Sequence, residues 1–184
     1  MRQINILNGD CAYEEWTQAG LPGEVLVWRE NYLQGRLPVD NDCFSLEKFN
    51  QIRAQELLPL APGRSLESIE EELARMHRIL LSSEPEDTVV LWFDMCPFDR
   101  TMLARILVLL ATMVPRPKVE LICRDVAWSA ANFSDSYGQG IVLQDEDFQE
   151  ARRQWDAFVS GAAAPETLLE YLIDKCNSDL SDKR

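Results

Sequence analysis

A three-layer α/β fold with an open, mainly parallel sheet of four or five strands is predicted by three observations. The stretch Thr88 to Asp99, TVVLWFDMCPFD, begins with an unbroken apolar run, Val89 to Phe93, that ends in Asp94. A strand buried on both faces has this pattern, and parallel strands covered by helices are its usual setting. Shorter apolar runs precede and follow it, separated by helix-compatible segments, which is the alternation of an open parallel sheet with right-handed crossovers. Finally, 184 residues, 46% of them hydrophobic and 27% charged, suffice for one core without disulfide or metal staples. The chain reads as a single domain in which residues 1–144 carry the sheet and residues 145–184 form C-terminal helices packed on it.

The first strand, Ile4 to Leu7, enters Asn8-Gly9-Asp10, and a helix over Ala12 to Ala19 stops at Gly20-Leu21-Pro22-Gly23. Val25 to Trp28 is the second strand, followed by Arg29-Glu30 and a polar loop to Asp42. Ser45 caps the next helix, with Phe44 and Phe49 placed as a hydrophobic staple and Glu47 in the first turn. Pro59 and Pro62-Gly63 break it. Ser65 or Ser68 starts a further helix whose stripe is Leu66, Ile69, Leu73, Met76 and Leu80. His77 sits beside that stripe and is read as a helix-flank residue without chemistry. After the central strand, Pro97 opens a helix whose apolar residues run from Met102 to Met113, ended by Pro115 and Pro117. Val119 to Cys123 is the fourth strand and Ile141 to Leu143 a short fifth. Asp145 or Asp147 caps a helix carrying Phe148, Ala151, Trp155 and Phe158 to Gly161. A last helix starts at Pro165 and gives way to a polar tail.

Lys+Arg 18 against Asp+Glu 31 leaves a formal charge of -13, which repels a phosphate backbone and argues against nucleic-acid binding. The amino-terminal MRQINILNGD lacks the apolar core of a secretory signal, and Met102 to Val114 is too short to span a membrane and carries Arg105. A cytoplasmic protein without membrane association is expected. Five widely spaced cysteines without a CxxC pair are read as reduced, mostly buried thiols. A single histidine, His77, excludes multi-histidine metal sites and leaves little for Ser-His or Cys-His chemistry. There is no Walker-type GxxxxGK[ST], and Gly138 and Gly140 are too few for a dinucleotide fingerprint. Of the five tryptophans, Trp128 is the one expected to leave the core.

In open α/β sheets ligands gather beyond the carboxyl ends of the strands, where the strand order reverses. Polar groups stand there four times: Asn8-Gly9-Asp10, Arg29-Glu30, Asp94 and Arg124-Asp125. Two functions compete for that edge. Arg29, Arg53 and Arg124 could clamp a small anionic or phosphorylated ligand, with Asn8, Gly9, Asp10, Glu30 and Asp94 completing a binding or regulatory site. Alternatively Asp10, Glu30 and Asp94 are acid or metal-ligand groups of a magnesium-dependent enzyme of phosphoryl transfer or nucleotide processing. At Asp94 alone the chain is similar to the phospho-acceptor strand of receiver domains, with Arg124 where those have a late lysine and one Asp, not an acidic pair, after the first strand. Apolar residues on the last helices could cover the sheet or form a homodimer.

INILNGDCA, VLVWRENYLQGRLP, Arg53, VVLWFD and YGQGIVLQDEDF resemble, in that order and up to about Ala164, a bacterial family catalogued as domain of unknown function eighteen thirty-five. The resemblance implies an α/β domain in which Asn8, Gly9, Asp10, Arg29, Glu30, Gly35, Arg53 and Asp94 match the family's polar motifs. It implies no activity, substrate or cofactor. The chain departs from the family at Gly35-Arg36, where Gly-Pro is common, and at Glu30, where Asp is more frequent.

Overall fold

The computed structural model describes residues 1–38, 45–161, 170 and 172. Five strands form one sheet: β1 (Gln3–Asn8), β2 (Glu24–Trp28), β3 (Thr88–Asp94), β4 (Lys118–Arg124) and β5 (Ile141–Val142). Their order in space is β2-β1-β3-β4-β5, with β1 to β4 parallel and β5 antiparallel to β4. The helices are α1 (Gly9–Ala19), α2 (Leu46–Leu57), α3 (Leu66–Leu81), α4 (Pro97–Leu110), α5 (Ala130–Ser136) and α6 (Asp145–Val159), with a 3-10 turn, Leu58–Leu60, between α2 and α3.

The central strand explains the layers. Along β3 successive side chains point to opposite faces. Val89, Leu91 and Phe93 join a core built with α2, α3, α4 and α6, while Val90 and Trp92 join Leu7, Trp16, Trp128 and Phe133 under α1 and α5. Both faces are dry, so β3 reads as apolar throughout. Leu172, the described apolar residue of the last predicted helix, is buried in the first of these cores. Glu170 apart, the rest of that helix, the Phe44 half of the staple and Asp42 lie outside the described residues. Among the described residues no helix is long and apolar enough to cross a membrane.

Local signals set the helix starts. Ser45 Oγ accepts the Lys48 N–H at 3.2 Å, and Ser65, not Ser68, caps α3 by accepting the Ser68 N–H. Helix α1 begins at Gly9, earlier than Ala12, because Gly9 at φ 69° turns the chain from strand into helix without a linker. Neither Asp145 nor Asp147 is the cap of α6. Gln144 holds that place, and Asp147 reaches back to accept its N–H at 2.7 Å.

His77 is inside the stripe, not beside it. It is 1% exposed, edge-on to Trp28 at 5.3 Å and to Phe49 at 6.3 Å, because α3 packs against both β2 and α2 and so buries a wider face. Burial, with the charge of Arg105, pushes its pKa down to about 3, so the ring is neutral at physiological pH. Trp128 is also buried, stacked on Phe133 at 4.6 Å. The described thiols are less buried than expected: Cys11 is exposed, and Cys96 and Cys123 are partly covered.

Candidate functional site

Because β1 to β4 are parallel and in register, Leu7 opposite Trp92 and Asp94 opposite Arg124, the groups predicted for the carboxyl ends do share one rim. The first crossover runs from β1 to β2 and the next passes back over β1 to β3, so the order reverses between β1 and β3. A gap opens there that no crossover covers.

At this gap the chain builds an acidic knot. Asp94 ends β3, and its Oδ1 accepts the Cys96 N–H at 2.7 Å, turning the chain toward α4. Cys96 is the cap of α4, its Sγ accepting the Asp99 N–H at 3.4 Å, and Pro97 fills the first helical position. Asp99, one turn in, reaches back: Oδ2 accepts the Asp94 N–H at 2.6 Å, and Oδ1 accepts from the Asn8 amide and, at 3.3 Å, from the Cys96 thiol. One carboxylate thus ties the end of β1 to the end of β3.

The energetics of that knot are unusual. Asp99 is 1% exposed, and burial pushes its carboxyl up to about 7, with the Asp94 charge acting the same way against the lowering effect of its donors. Burial likewise pushes the Cys96 thiol up to about 12, so it is no thiolate at neutral pH. Ligand atoms of Asp94, Cys96 and Asp99 lie within 4.8 Å of one another. Asp94 and Asp99 border a crevice of about 410 Å³ whose wall also includes Asn8, Glu14, Glu15 and Trp128 and, among the described residues, no lysine or arginine.

The predicted arginines are committed elsewhere on the rim. Arg29 holds Asp10 through Nη2 at 2.6 Å and Nε at 2.9 Å, and Glu72 through Nη1 at 3.3 Å. Its guanidinium holds the Asp10 carboxyl below the usual range. Arg53 and Glu30 form a pair with both side chains fully buried at 2.9 Å. Arg53 also donates to the carbonyls of Asn31, Gln34 and Arg36 at 2.8 to 3.0 Å. It therefore fixes the loop after β2, and its guanidinium is no ready anion contact. Arg124, beside Asp94, donates through Nε to Ser136 Oγ at 2.7 Å.

Of the predicted site residues, Asn8 and Asp94 stand in the crevice, with Gly9 supplying the turn beside it. Asp10 and Arg29 pair outside it, Glu30 and Arg53 lie under the β2 loop, and Arg124 flanks the β3 end. Sequence reasoning missed Cys96, Asp99, Glu14 and Glu15. The signal for Asp99 is Pro97-x-Asp, an acid three places after the capping position Cys96. The fold and rim define a doubly wound α/β protein whose strand order reverses over an acidic crevice. No family model matches the chain, and comparisons with curated proteins and with solved structures gave no match either.

Proposed function

We propose that the crevice between β1 and β3 takes a divalent cation, magnesium or manganese, and through it a small phosphorylated ligand, on which the protein acts in phosphoryl transfer or nucleotide processing. The observation that carries this is the convergence of Asp94 and Asp99 in a crevice that also has Glu14 and Glu15 in its wall and, among the described residues, no basic one. Such a wall repels an anion unless a cation lies between them. Hard cations take oxygen ligands, so Asp94, Asp99 and the Asn8 amide oxygen, after a turn of that amide, are the natural set, with Cys96 left as the helix cap. The anion-clamp reading is weaker, since Arg29 and Arg53 already pair with acids and Arg124 is bonded to Ser136.

Differential scanning fluorimetry with manganese or magnesium, on wild type, Asp94→Asn and Asp99→Asn, tests the reading. Metal should raise the melting temperature of the wild type alone, and more at about pH 8 than at about pH 6, because ligation displaces the Asp99 proton. A nucleoside triphosphate or pyrophosphate should then bind only with metal present. A metal response retained in Asp94→Asn, or phosphate binding indifferent to metal, would overturn it.

A further inference from the structure

Among the described residues the sheet ends at β2, which pairs with β1 alone. In a parallel ladder the N–H and C=O of one residue point to the same neighbour, and successive residues alternate. The Thr88 N–H donates to the Arg2 carbonyl, so the even-numbered residues of β1 face β3 and the odd ones face β2. With Asn5 in register with Val25, Glu24, Leu26 and Trp28 bond to β1, and Val25 and Val27 turn their N–H and C=O outward. Arg29 continues the outward series: its N–H leaves the sheet and meets Met76 Sδ at 3.1 Å.

The outward groups of Val25 and Val27 have no partner among the described residues. Backbone groups in a strand normally have theirs made. A groove of about 610 Å³ is walled by both valines together with Tyr13 and Arg75, so this edge opens on space and not on another element of the described chain. Nor does β2 carry the protection of a free edge. From Val25 to Trp28 it has no charge and no proline, and its register with β1 runs without a bulge. Such an edge is a template for another strand.

We propose that this edge is an interface between two copies of the chain, their β2 strands joined antiparallel about a twofold axis through Leu26. The outward groups set that register. Val25 comes opposite the partner's Val27, and each such pair exchanges both of its N–H···O bonds. Charge selects a second copy as the occupant. Glu24 opens β2 with its side chain 44% exposed. Arg75 is exposed, without an ion pair among the described residues, and next to Met76, which puts it at the far end of the same strand. Antiparallel pairing sets the start of one β2 against the end of the other, so Glu24 meets the partner's Arg75, and the axis repeats the contact. Self-complementarity of this kind is what a twofold interface requires. Gly23, with no side chain, falls opposite the partner's Arg29 and leaves its pair with Asp10 undisturbed.

Sedimentation equilibrium over a concentration series, in EDTA so that no cation takes part, tests the proposal on the full chain. The wild type should reach the mass of a dimer, and Asp94→Asn should do the same. Arg75→Glu should weaken association at least about tenfold with an unchanged circular dichroism spectrum, since one substitution removes two contacts, and adding Glu24→Lys should restore most of the loss. Val25→Pro deletes an outward N–H that an edge strand does not need for itself, and should give a monomer. Should that variant fold poorly, the charge exchange still decides. A monomer at every concentration, a dimer indifferent to Arg75→Glu, or a loss that Glu24→Lys does not restore would overturn the proposal.

Discussion

Arg53→Met tests the idea that one buried guanidinium holds the β2 loop in place. In the native chain Arg53 is 0% exposed and donates to Glu30 and to the carbonyls of Asn31, Gln34 and Arg36. Methionine keeps most of the stem and removes every donor. What remains is a buried carboxylate with the Asn31 N–H as its only donor among the described residues, while the Gln34 and Arg36 carbonyls lose the guanidinium and that of Asn31 keeps the Gln34 N–H at 3.2 Å. Breaking a buried pair from one side costs about 3–5 kcal/mol, much of it the penalty of the stranded charge. At about 2–4 °C per kcal/mol for a domain of this size, the melting temperature should fall by roughly 6–20 °C. The two partners are not equivalent. Glu30→Gln leaves Arg53 with three carbonyl acceptors and should cost less, whereas the double variant should regain only part of the Arg53→Met loss because the Gln34 and Arg36 carbonyls stay without the guanidinium. Urea titration followed by tryptophan fluorescence reads all three. A cost under about 1 kcal/mol for Arg53→Met, the range of an exposed ion pair, would refute the argument.

Asp99→Asn in EDTA should reshape the pH dependence of stability. A carboxyl raised to about 7 contributes its stability fully below its unfolded pKa near 3.8 and loses it as pH climbs toward 7. The variant, with Asn8 turning its amide over, should gain on wild type by up to roughly 3–4 kcal/mol across that window, read as urea midpoints at several pH values. Asn5→Val removes the acceptor of the buried Trp92 indole N–H, 3.1 Å away, and should cost about 1–3 kcal/mol with a shift in tryptophan emission. Gly35→Ala, at φ 70° and with its new Cβ 2.7 Å from Glu56 Cβ, should cost about 1–3 kcal/mol in thermal unfolding, since the strained backbone and the crowded contact act together.

The elements were legible because their signals are local. An unbroken apolar run marks β3, and Ser45, Ser65 and Pro97 mark helix starts by hydrogen-bonding rules that need only neighbouring residues. The shared rim also followed from sequence, since an alternating chain makes the strands parallel. What a sequence does not contain is lateral order. Asp99 becomes a site residue only when β1 lies beside β3 and brings Asn8 to its carboxylate. The partners of the arginines are hidden for a related reason: a guanidinium on a long stem pairs with the nearest acid, and whether that is Asp10, Glu72 or Glu30 depends on how α1, α2 and α3 pack. His77 was misplaced because a stripe read at helical spacing gives the centre of the buried face and not its width.

The strand order also decides how charge is distributed along the rim, and with it what can bind where. On the β2 side Arg29, Arg53 and Arg64 each pair with an acid. Among the described residues no arginine lines the β1–β3 crevice. At physiological salt the Debye length is about 8 Å, so the formal charge of -13 matters less to a bound ligand than the carboxylates around it. Asp94, Asp99, Glu14 and Glu15 all border that crevice. The cost of holding these groups together shows in Asp99, which keeps a proton to about pH 7. A divalent cation bound there would remove that cost and invert the sign that an approaching phosphate meets. With a cation between them, the four carboxylates that would reject a bare anion would help to hold it.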